Sequence, residues 1–131
     1  MRVSILLLTA AALLVPQAAY AQSWRHVARS NAARSGPSDN YIDTTRFTRT
    51  GDRLLYWQRS VLERQQGQGE RRYNEMVVYM EADCALLSYR PLQIIIYLDG
   101  REVASEMMEV AAETVSPGTA GDNILRAACA L

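Results

Sequence analysis

Three kinds of residue in this chain could carry chemistry: a histidine, a pair of cysteines and a spread of carboxylates. His26 is the only histidine, so any Ser-His-Asp or Cys-His arrangement would have to use it. It stands in a strand-like segment with arginines on both sides, and no G-x-S-x-G turn occurs to expose a nucleophile. A zinc site needs clustered cysteine and histidine ligands, and one histidine with two distant cysteines does not supply them. No calcium loop, phosphate-binding loop or dinucleotide fingerprint occurs, so no cofactor and no metal are expected. Glu75, Glu81 and Asp83 alternate with apolar residues, as a solvated strand face requires, instead of grouping as a catalytic acid and base. The chemistry left is that of Cys84 and Cys129, and compartment decides it.

Compartment is read from the N-terminus. Met1 and Arg2 form a short positive region, Val3 to Val15 is an apolar run broken only by Ser4 and Thr9, and Pro16 ends it. Ala19 and Ala21 then place small side chains where a signal peptidase accepts them. The run of about 13 is short of the roughly 20 apolar residues a spanning helix needs. Residues Met1–Ala21 therefore read as a secretory signal, cut after Ala21 to leave Gln22 first. No cysteine stands at the cut, so no lipid anchor is expected, and the product is expected to be periplasmic or secreted. In that oxidising setting an even cysteine count favours a Cys84–Cys129 disulfide. Residues 22–131 suffice for one domain. With 14 basic and 14 acidic residues in the whole chain, there is no basic field to attract nucleic acid.

The elements that must position these residues are mostly strands. Trp24 to Ser30 reads as a first strand, polar Asn31 to Asn40 as a loop, Tyr41-Ile42-Asp43 as a short strand and Thr44 to Gly51 as a turn-rich link. Asp52 to Arg64 is a long strand candidate without clean alternation, so Trp57 fits either face. Gln65 to Glu70 is a hairpin loop. In the return strand, Arg71 to Asp83, Met76, Val78, Met80 and Ala82 share one parity and Glu75, Glu81 and Asp83 the other, the period of a half-buried strand. Leu92, Ile94, Ile96 and Leu98 repeat that pattern. Asp99-Gly100 suits a tight hairpin turn, and Arg101 to Met108 is its partner strand. The tail changes period: Ile124, Leu125, Ala128 and Leu131 recur at helical spacing. Ser116 and Pro117 offer a cap and a first position, while Gly118 and Gly121 delay the helix toward Asp122. A Cys84–Cys129 bridge would staple this helix to the face carrying Met76, Val78 and Met80.

Several of these residues, in this order, are also a family's marks. They are Trp24, Tyr41-Ile42-Asp43 with Thr44-Thr45, Gly51-Asp52 leading to Trp57, Asp83-Cys84, Tyr97 with Asp99-Gly100-Arg101-Glu102-Val103, Ser116-Pro117-Gly118-Thr119 and Cys129. The chain resembles the surface-adhesin E-like family of small exported proteobacterial proteins. The resemblance implies an α+β fold: an antiparallel sheet of about six strands with a C-terminal helix packed on one face, tied by a disulfide. It also implies a binding function in place of an enzymatic one. The chain departs from the family pattern in having no lipobox cysteine and no tryptophan between Met107 and Val115.

If the helix covers the Met76 side, then Val77, Tyr79, Ile95 and Tyr97 point the other way. They would form an apolar, aromatic patch rimmed by Glu75, Glu81, Gln93 and Asp99. Such a patch suits a protein partner or a second copy. Two other readings predict other features. A small-ligand carrier would need an enclosed pocket between helix and sheet. An envelope enzyme or inhibitor would need a cleft holding His26 with carboxylates.

Overall fold

The computed structural model describes residues 23–131, so the expected signal, Met1–Ala21, lies outside the described residues. Six long strands follow in chain order: β1 (Trp24–Ala32), β2 (Gly36–Thr50), β3 (Arg53–Gln66), β4 (Tyr73–Asp83), β5 (Ser88–Leu98) and β6 (Arg101–Met107). They pair antiparallel in that same order. A two-residue strand, β7 (Glu113–Thr114), pairs with the start of β5, and one helix, α1 (Ala120–Cys129), ends the chain. Consecutive hairpins account for the simple order, because each tight turn returns the chain beside itself. Between β5 and β6 the turn is Asp99-Gly100, both residues at positive φ, as their sequence led us to expect. Between β3 and β4, Gly67 has φ 78°, and a Cβ there would lie 2.3 Å from the Arg71 carbonyl oxygen. Only glycine fits that turn.

One face of the sheet carries the core. Ala28, Ile42, Leu54, Tyr56, Val78, Met80 and Ala82 pack there against Ile124, Leu125 and Ala128 of the helix. The helix lies mainly against β1 and β2. Burying a side chain the size of Leu125 contributes about 1.5–3 kcal/mol, and Leu125 is fully buried. The bridge then ties the last residue of α1 to the end of β4: Cys84 and Cys129 are joined, with their Cα atoms 5.7 Å apart.

Two expectations along β2 are corrected. Asn31 to Asn40 is not a loop but the end of β1, a short turn and the start of β2. Two of its polar residues, Ser38 and Asn40, are inside. The Asn40 amide donates to the Ser30 hydroxyl at 3.1 Å and to the Ala28 carbonyl at 3.3 Å, and accepts from the Ser60 hydroxyl at 2.8 Å. Ser38, Asn40 and Ser60 are all buried, a satisfied network where hydropathy expects apolar residues. Thr44 to Gly51 is likewise no link. The strand continues through it as a bulge, since Ile42 pairs with Gln58 and the next pair is Phe47 with Tyr56. The Asp43 carboxylate accepts the backbone N–H groups of Thr45 and Arg46, which makes the turn inside the strand. The helix start falls between the two positions considered: Thr119 caps it, accepting the Asp122 N–H at 3.2 Å.

Candidate binding face

The sheet face away from the helix is built by strand parity. Register places Val77 opposite Ile95, Glu75 opposite Tyr97 and Tyr79 opposite Gln93 on β4 and β5. The four residues singled out as a patch therefore do lie together, on neighbouring strands. Tyr79, Ile95 and Tyr97 are partly exposed. Val77 departs from the expectation of a wetted side chain: it is only 8% exposed. Its neighbour across β3 is Arg59, which helps to cover it.

Strand β3 adds what alternation left open. Trp57 pairs with Tyr79, so it belongs to this face, and the two rings stand 4.8 Å apart. The Arg46 guanidinium lies over Trp57 at 5.3 Å. Two residues along, the Arg59 guanidinium approaches the rings of Trp24 at 5.9 Å and Tyr41 at 5.7 Å. It also forks onto Glu75, at 2.8 and 3.1 Å. Planar guanidinium suits both roles, stacking on a ring while bonding a carboxylate in its own plane. At one end Glu81 is clamped between Arg53 and Arg90. The Arg53 bond first, and then the Arg90 bond, hold its carboxyl below the usual range against the opposing effect of burial. Sequence reading missed Trp24, Tyr41, Arg46 and Arg59 as members of this face. The i, i+2 spacing of Trp57 and Arg59 was the available signal.

His26 lies on the same face, half-exposed. Its Nε2 is 3.0 Å from Asp39, whose other oxygen accepts from Arg29 at 2.9 Å. Its ring meets Tyr41 edge-on. The bond from His26, and then that from Arg29, hold the Asp39 carboxyl low. Both cysteines are in the bridge, so neither is a free nucleophile. Among the described residues, no group of three or more histidine, cysteine or carboxylate side chains is placed to hold a metal. The largest cavity described, about 360 Å³, opens where Arg53, Glu81, Asp83 and Arg90 meet. The cavity between helix and sheet, lined by Tyr56, Met80, Tyr89, Ile124 and Leu125, is about 100 Å³. That is well under the roughly 300–1,000 Å³ of small-molecule sites.

Together these features define a class: a single antiparallel sheet with one disulfide-stapled helix, presenting a ring-and-arginine face. The family model for surface-adhesin protein E matches residues 24–130, and the chain belongs to that family. No curated protein and no solved structure matches the chain. The family is one of surface adhesins, which suggests an exported protein that binds. Among the described residues no helix is long and apolar enough to cross a membrane.

Proposed function

We propose that this chain is an exported, non-catalytic binding module that meets a protein partner, or a second copy of itself, through the face away from the helix. The observation that carries this is the row of partly exposed Trp57, Tyr79, Ile95 and Tyr97 on β3 to β5, which no element among the described residues covers. Tyrosine and tryptophan rings set among arginines are the composition that contact surfaces favour. Val77 supports the patch from below and offers little surface of its own. The carrier reading is disfavoured by the small cavity under the helix.

The test is the double variant Tyr79→Ser/Tyr97→Ser. A contact surface predicts lost self-association in sedimentation, or lost capture from envelope extracts, with a small change in melting temperature. A large fall in melting temperature with association intact would show that the tyrosines only pack across strands.

A further inference from the structure

We propose that the cavity between Trp24 and Tyr97 is a binding site for a neutral saccharide. It measures about 320 Å³ and is lined by Trp24, Arg59, Glu75, Val77, Tyr97 and Gly100. Its base is unusual for an uncovered sheet face. The Arg59 and Glu75 side chains are only 30% and 19% exposed, sunk among the rings and beside the buried Val77. This site goes beyond the protein-contact reading and does not depend on it.

The lining selects the ligand by elimination. Arg59 and Glu75 neutralise each other, so an anion or a cation entering the cavity must compete with a partner already in place. A wholly apolar molecule would strip water from that ion pair and return no hydrogen bonds. A sugar ring meets both demands. Its C–H face packs on an aromatic ring, and its hydroxyls reach the polar edges. The fork between Arg59 and Glu75 leaves guanidinium donors and carboxylate lone pairs for such hydroxyls. Tyr97 adds a phenol whose pKa is pushed up, by burial first and then by the charges of Glu102 and Glu75. It therefore stays protonated, able to donate as well as accept.

A second cavity, about 240 Å³, lies on the same face and is lined by Arg46, Trp57 and Tyr79 among others. The Trp57–Tyr79 pair is two residues from the Arg59–Val77 pair along the same strands, a step of about 7 Å. Two ring-lined cavities on one face suit separate units of one oligosaccharide.

Titrating the oxidised chain with chitotriose and with maltotriose, and following the tryptophan indole NMR signals, tests this. Saturable binding of at least one trisaccharide is expected, with both the Trp24 and Trp57 signals moving. Trp24→Ala and Tyr97→Ala should each weaken it at least about tenfold, and these two keep the test open if Arg59→Gln does not fold. Absence of saturable shifts with both sugars overturns the assignment. So does unchanged affinity in the ring variants, or tighter binding of inorganic phosphate or benzoate at the same indoles. Sedimentation on the same samples reads self-association separately, so either reading can fail without the other.

Discussion

Asp43 is fully buried and its carboxylate takes four hydrogen bonds, from the Thr45 and Arg46 backbones, the Thr45 hydroxyl and the Arg46 guanidinium. Those bonds turn the chain inside β2, and Arg46 in turn lies over Trp57. Burial alone would raise the carboxyl, but the bonds from Arg46 and Thr45 outweigh it and hold Asp43 below the usual range. A carboxyl depressed in the folded state adds stability above its unfolded pKa of about 3.9. That stability is lost as pH falls from there through the lower folded value. Asp39, Glu81 and Asp122 are depressed in the same direction. Thermal melts should therefore change little near neutrality and fall steeply below about pH 4. Asp43→Ala leaves part-buried donors without their acceptor and should lower stability at pH 7 by about 1–3 kcal/mol, measured by urea denaturation. The residues of this turn stand plainly in the sequence as Asp-Thr-Thr-Arg. That the strand resumes beyond them was not legible, because the pairing that carries it lies on β3.

At the scale of elements, the helix shows how local and distant forces share one job. Thr119 and Asp122 cap its start reciprocally: the Thr119 hydroxyl accepts the Asp122 N–H, and the Asp122 carboxylate accepts the Gly118 N–H at 3.0 Å. That Thr-x-x-Asp spacing resembles a capping box and was readable. Ser116-Pro117 offered a competing start that lacks such a partner. At ten residues, α1 is too short to hold by itself in water, so packing and the bridge must keep it in place. The bridge closes a separation of 45 residues, for which chain entropy gives about 4 kcal/mol. Cys129→Ser should cost roughly 2–5 kcal/mol and expose the last turn of α1 to fast amide exchange. Exchange as slow as in the parent chain would show that the apolar stripe suffices.

For the whole molecule, the proposed function rests on export and on one open face. We expect the chain recovered after export to begin at Gln22, and N-terminal sequencing checks it; a chain still beginning at Met1 would refute the signal reading. The ring-and-arginine face lies opposite the helix, so the bridge and the proposed contacts sit on different sides of the sheet. Reduction of the bridge should therefore weaken stability more than it alters the face directly.

The sequence by itself determined the succession of most strands along the chain, the Asp99-Gly100 turn, the bridged cysteines and the side of β4 that meets the core. Each of those rests on neighbours along the chain: a period of two, a turn dipeptide, or an even cysteine count in an exported protein. Only the tertiary structure decided that Ser38, Asn40 and Ser60 lie inside, because a buried polar group is tolerated where a distant partner satisfies it. It likewise decided that Val77 is covered and that Trp24 and Arg59 meet. Those side chains come from different strands, and cross-strand register, not sequence distance, brings them together.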